Sequence, residues 1–95
     1  VTPQLIINKV AEHFSIDTED LIGNKRTANI VLPRQIVMYL CNEMLEMPFK
    51  NIGEILGKRD HTTIMHGSKK IAKELQTSES LKNTIEILKK KISPT

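Results

Sequence analysis

The sequence predicts an all-α fold, a compact bundle of about six helices with a helix-turn-helix over residues 50–76. Three observations lead there. Apolar residues recur at three- and four-residue spacings along the chain, no segment alternates with the period of a strand, and Gly or Pro punctuates the periodic stretches. The 95 residues suffice for a single domain with one modest core, and not for a catalytic domain besides. Hydrophobic residues make up 39% of the chain, yet Phe and Tyr together number three and Trp is absent, so the core must be aliphatic.

The first helix opens with Thr2 as N-cap and Pro3 at the first helical position. Ile6, Val10 and Phe14, widened by Ile7 and Ala11, form its packing stripe until about Ser15. Asp17 to Ile22 is a short acidic helical segment stopped by Gly23, and its carboxylates suit the helix dipole better than a metal or acid-base site. Residues 23–29 read as a polar loop with two adjacent basic residues, Lys25 and Arg26. Such a loop can place an arginine in a narrow minor groove.

Pro33 is expected to open the longest helix, which runs to about Met47 before Pro48 stops it. Ile36, Val37, Leu40, Cys41, Met44 and Met47 cover its apolar arc. Arg34 and Gln35 then fall in its first turn, where free N–H groups favour an anion, or where the side chains simply face solvent. Phe49 reads as a core anchor rather than a base-stacking platform. Ile52, Ile55 and Leu56, with Gly53 between them, suit a short helix packed closely across its neighbour. The last helix is capped by Ser78 and carries the stripe Leu81, Ile85, Leu88 and Ile92. Lys89, Lys90 and Lys91 near its end suit the negative pole of the helix and solubility, ahead of contact with DNA or an acidic membrane.

The stretch Gly57 to Ile71 holds the candidate chemistry. Gly57 can take a left-handed turn and Asp60 can cap a helix that begins near His61. At about 100° per residue, Ile64, Ser68, Ile71 and Leu75 share one stripe, and Thr62, His66, Lys69 and Lys73 lie opposite. That polar side suits a major groove. Thr62 and Thr63 offer methyls and hydroxyls, His61 can donate or accept, and Asp60 can accept from an exposed amine. Lys58, Arg59, Lys69, Lys70 and Lys73 can meet phosphates. The bland alternative makes Asp60 an N-cap alone and the lysines a solvated helix face, and residue types by themselves favour it.

Charge is unevenly spread. Residues 1–22 carry one basic and four acidic side chains (net −3), residues 23–73 nine and four (net +5), and residues 74–95 four and three (net +1), which together give the formal +3 of the chain. Positive charge is thus concentrated around the candidate reader, as a phosphate-binding surface requires.

Other chemistries find little support. Cys41 is the sole cysteine, so no internal disulfide forms, and its apolar neighbours make it a small core residue. Gly53 to Arg59 has the wrong glycine spacing for a phosphate loop and lacks the Ser or Thr that follows the lysine. His61 and His66 are five apart with no further ligand, so metal binding is not expected, and no nucleophile-base set is visible. No apolar run is long enough to span a bilayer and no secretion signal is present, which predicts a cytoplasmic protein. A valine at position 1 predicts a fragment of something longer or a processed product.

Arg59-Asp60-His61-Thr62-Thr63, followed by Ile64, His66, Lys70 and Ile71, resembles the signature of the C-terminal DNA-binding domain of the bacterial replication initiator family, DnaA. The resemblance extends through Pro33-Arg34-Gln35 and Lys25-Arg26 back to the opening helix. It implies a Trp-repressor-like helix-turn-helix bundle that binds A/T-rich DnaA boxes at a replication origin, and with that a nucleoid-associated protein. Asp60, His61 and Thr62 would read bases in the major groove, and Arg26 would read the adjacent minor groove. Lys25, Arg34, Gln35, Lys50, Lys58, Arg59, Thr63, Lys69 and Lys70 would contact the DNA backbone.

Four positions depart from the family pattern. Ala28 and Asn42 replace basic residues, Lys50 stands for a small apolar residue or proline, and Lys58 for a turn glycine.

The implied partner is double-stranded DNA, bound by a monomer because the site is asymmetric. No catalysis and no cofactor are expected in these residues. ATP would belong to an upstream ATPase domain of a longer protein that self-assembles on DNA and meets regulatory proteins. The alternatives are a dimeric helix-turn-helix transcription regulator, a protein-interaction module docking through Leu81 to Ile92, and, more remotely, a peripheral membrane module.

Overall fold

Thr2 and Pro3 set the first turn as their sequence predicts, and the Leu5 N–H donates to Thr2 Oγ1 at 3.1 Å. The structure, a computed structural model, describes residues 1–94. Its elements are α1 (Pro3–Phe14), α2 (Thr18–Ile22), α3 (Ala28–Leu45), α4 (Phe49–Ile55), α5 (His61–Glu74) and α6 (Glu79–Ile92). Among the described residues there is no strand, so the all-α bundle predicted from periodicity is the fold.

Helix α3 is the centre of the bundle. It packs most extensively against α5 and also meets α1, α2 and α4, while α6 lies against α1. The core is aliphatic: Ile6, Val10, Ile36, Val37, Leu40, Ile52, Ile64, Ile71 and Leu88 are fully buried. Leu81, Ile85 and Ile92 join Leu88 in closing it, and the Leu81 N–H donates to Ser78 Oγ at 3.1 Å. Cys41 is wholly enclosed, and burial pushes its thiol up to about 12, the state of an inert core residue.

The longest helix differs from expectation at its start. It begins at Ala28 rather than Pro33, with Thr27 as N-cap and Pro33 inside. Buried Ile30 anchors the added turn one helical turn before Pro33 and Arg34, which are themselves buried. Pro33 only deprives the Asn29 carbonyl of a donor, and Asn29 is exposed to solvent. At the other end α3 stops at Leu45, because Glu46 takes a left-handed conformation (φ 53°) and the Met47 N–H turns back to the Cys41 carbonyl at 3.3 Å. Asn42 Nδ2 donates to the Met47 carbonyl at 2.9 Å and braces that turn.

Two glycines set the spacing of the helix-turn-helix. A Cβ on Gly53 would lie 2.1 Å from the Arg59 carbonyl oxygen, and the Arg59 N–H donates to the Gly53 carbonyl at 2.9 Å. The turn therefore rests directly on α4. A Cβ on Gly67 would meet Met38 Sδ at 2.4 Å, which marks the close crossing of α5 over α3. Gly67 escaped the sequence reading, and the signal that could have found it is an isolated glycine inside a helical pattern. No described helix is long and apolar enough to cross a membrane.

Gly53→Ala should lower stability by about 2 kcal/mol, since the added methyl meets rigid backbone and that outweighs the gain in helix propensity. A urea denaturation midpoint equal to that of the unsubstituted chain would contradict this contact.

Candidate nucleic-acid interface

The turn between α4 and α5 is built from two consecutive left-handed residues, Gly57 (φ 71°) and Lys58 (φ 60°). For Gly57 the conformation is free of steric cost, and a Cβ there would also fall 2.3 Å from the Ile22 carbonyl oxygen. Lys58 has no such freedom and holds a conformation that L side chains resist. Asp60 takes the backbone position of an N-cap (φ −62°, ψ 142°), with its carbonyl accepting from the Ile64 N–H at 3.2 Å.

The Asp60 side chain does not cap the helix, contrary to the sequence reading. Its carboxylate instead lies 3.2 Å from His61 Nδ1, with both side chains about two-thirds exposed at 64% and 65%. Beyond them α5 divides as its periodicity predicts. Ile64, Gly67, Ser68 and Ile71 are buried, while His66, Lys69, Lys70 and Lys73 are exposed. Thr63 is exposed and Thr62 half-buried in the first turn.

A cleft opens between the loop after α2, the first half of α3 and the α4–α5 turn. Arg26, Gln35, Lys58, Arg59, Asp60 and Thr63 line it. These residues come from three separate parts of the sequence, and folding brings them to one surface. His61 and Thr62 follow at the rim, in the same helical turn as Thr63. Lys50, Lys69 and Lys70 are exposed but stand outside the cleft wall. Lys25 turns away from it: its Nζ pairs with Asp20 Oδ1 at 3.2 Å.

Arg34 departs from its expected role. With α3 starting at Ala28, Arg34 sits beyond the first turn, where no free N–H groups remain to help bind an anion. Its side chain is 5% exposed and points inward. Nε donates to the Leu21 carbonyl at 2.7 Å, Nη1 to Lys25 at 2.8 Å, and Nη2 to Asp20 at 2.7 Å and Gly23 at 3.1 Å. The guanidinium thus holds the end of α2 and the following loop, and Arg34 also contributes to the cleft lining.

Arg59 joins it from the other side. Nη1 donates to the Ile22 carbonyl at 3.0 Å and to Leu56, and Nη2 donates to Gly23. Burial lowers the pKa of both arginines, and like charge adds to it: Arg59 acts on Arg34, and Arg26 on Arg59, while Asp20 partly offsets the effect at Arg34. Both guanidinium groups nevertheless stay charged, since their ordinary value lies so far above neutrality. Gln35, beside them, keeps its Oε1 buried without a hydrogen-bond partner. Among the described residues no group of three His, Cys, Asp or Glu side chains is placed to hold a metal ion.

Residues 3–71 match the family model described as the bacterial dnaA protein helix-turn-helix. Over its full length the chain is 44% identical to the chromosomal replication initiator protein DnaA of Lachnoclostridium phytofermentans, of which it covers 21%. It is 47% identical over 83 residues to the same-named protein of Oenococcus oeni, covering 87% of this chain and 18% of that one. The chain therefore spans about a fifth of the curated relatives it matches. Among solved structures, a crystal structure of a DNA replication initiation factor superposes with a TM-score of 0.84 at 26% identity, over 95% of this chain and 27% of that one.

Two substitutions test the geometry. Lys58→Gly should raise stability by about 1 kcal/mol by relieving the left-handed conformation, read as a higher urea midpoint, and an unchanged or lower midpoint contradicts the strain. Arg34→Met should lower stability by about 3 kcal/mol, because it strips donors from four backbone carbonyls, and a change below about 1 kcal/mol would contradict the inward role.

Proposed function

We propose that this chain, which belongs to the bacterial DnaA helix-turn-helix family, binds double-stranded DNA and reads short, asymmetric, A/T-rich boxes at a bacterial replication origin. The observation that carries this reading is the cleft, where the Arg26 loop and the start of α5 share one basic surface. An α5 inserted N-terminus first meets the major groove with Asp60, His61 and Thr62, while the loop reaches an adjacent minor groove. Helix geometry then divides the work.

The Asp60 contact occupies His61 Nδ1 and leaves Nε2, with the free carboxylate oxygen of Asp60, for base edges. Thr62 adds a methyl suited to thymine. Arg26, exposed on its loop, enters the minor groove, where an A/T tract narrows the walls and deepens the negative potential. Gln35, Lys58 and Thr63 border the cleft and hold phosphates, while Lys50, Lys69 and Lys70 add charge along the flanks. Lys25 contributes less, being paired with Asp20.

An asymmetric site calls for one domain per box, so the chain acts as a monomer on DNA. It carries no catalysis of its own. ATP use, self-assembly on DNA and regulation by other proteins belong to a full-length initiator whose ATPase domain lies upstream.

Fluorescence anisotropy with a labelled box duplex, competed by a scrambled duplex of equal composition across a salt series, tests the reading. Box preference at one domain per duplex, weakening as salt rises, is expected, and equal binding to both duplexes would reject it. In the same assay His61→Ala and Thr62→Ala should each lose roughly 1 to 3 kcal/mol of discrimination at one position, whereas Lys69→Ala should weaken all sequences alike. Unchanged discrimination in the first two would refute their assignment as base readers.

A further inference from the structure

We propose that Arg59 is a positioning residue that fixes the distance between the minor-groove loop and the major-groove helix, rather than a ligand of DNA phosphate. The inference rests on the two-groove reading above and adds the part that joins its halves.

Arg59 stands at a three-way junction. Its backbone N–H is held by the Gly53 carbonyl of α4 at 2.9 Å, and the next residue, Asp60, is the N-cap of α5. Its guanidinium reaches back across the cleft to the Ile22 and Gly23 carbonyls, and also to Leu56 at the end of α4. Gly23 lies three residues before Arg26, and its carbonyl is shared with Arg34 from α3. One planar fork thus ties the start of the minor-groove loop to the residue preceding the base readers.

The turn reinforces the same contact, since Gly57 leaves no room for a side chain above the Ile22 carbonyl. Arg26 is exposed and lines the same cleft as Arg59, so the two cations share one surface. Without the bonds to Ile22 and Gly23, repulsion would drive the loop away from α5. The two readers would then dock independently, each losing the benefit of the other's placement.

Lysine separates the two roles of Arg59. A phosphate contact needs mainly a positive point charge, which lysine supplies, whereas a fork to several carbonyls in fixed directions needs the guanidinium plane. The experiment compares Arg59→Lys with the unsubstituted chain, each with and without Arg26→Ala, on a panel of box duplexes in which A/T pairs are changed to G/C one at a time. Binding to scrambled DNA and its salt dependence should stay within twofold in Arg59→Lys. Box preference should fall at least tenfold, most of it at the A/T pairs sensitive to Arg26. Arg26→Ala should reduce preference at least tenfold in the original chain and less than threefold in the Arg59→Lys background.

Retention of box preference by Arg59→Lys, or equal effects of Arg26→Ala in both backgrounds, would overturn the proposal while leaving the two-groove reading intact. Loss of box preference in the unsubstituted chain would overturn that reading instead, and this inference with it. Should Arg59→Lys fail to fold, nitrogen-15 NMR of the Arg59 guanidinium in the unsubstituted chain decides. Slowly exchanging Nη protons that keep their shifts when box DNA is added support positioning, and transfer of those signals to phosphate-bound values overturns it.

Discussion

The carbonyls at the end of α2 are the point on which the interface depends. A five-residue helix, Thr18–Ile22, has almost as many terminal carbonyls as residues, and left alone they would point out of its C-terminal end without intrahelical donors. Arg34 from α3 and Arg59 from the α4–α5 turn supply those donors, meeting at the Gly23 carbonyl from opposite sides. Positive charge at the negative pole of a helix is favourable in itself, and here it also joins segments more than thirty residues apart in sequence. The loop that carries Arg26 and the turn that precedes α5 are therefore parts of one assembly.

Crowding positive charge has consequences for recognition. Burial lowers the proton affinity of Arg34 and Arg59, and like charge adds to it, Arg59 acting on Arg34 and Arg26 on Arg59, while the Asp20 carboxylate partly offsets the effect at Arg34. Arg34 and Arg59 turn their hydrogen bonds inward but retain their charge. They line the cleft together with Arg26, Gln35, Lys58 and Thr63 and contribute their charge to it while their hydrogen bonds go to backbone carbonyls. Binding an anion there relieves repulsion as well as making contacts. The net charge of the chain, only +3, therefore understates the positive charge gathered at this face.

Most of the fold could be read from the sequence, because its cues are local. Thr2-Pro3 and Ser78 announce helix starts, and the stripes Ile64-Ser68-Ile71 and Leu81-Ile85-Leu88-Ile92 announce buried faces. What escaped was long-range. Pro33 looked like a helix start, and only the burial of Ile30 shows that the helix already exists there. Arg34 and Arg59 have the composition of phosphate ligands, and nothing in their neighbours reveals that, apart from Leu56, the carbonyls they serve lie 9 to 37 residues away. Asp60 was read correctly as a cap by its backbone and incorrectly by its side chain, which turns to His61 instead. The convergence of Arg26, Gln35 and Thr63 on one cleft is likewise a product of tertiary packing, although family resemblance had already grouped them.

The most direct measurement of the central claim is an amide NMR titration of the nitrogen-15-labelled chain with a single box duplex. Shift changes should concentrate at residues 24–27 and 57–63, with Gln35 between them, and should leave the exposed face of α6 undisturbed. Changes centred on residues 81–92, or confined to α5 with the Arg26 loop silent, would contradict a surface that reads both grooves at once.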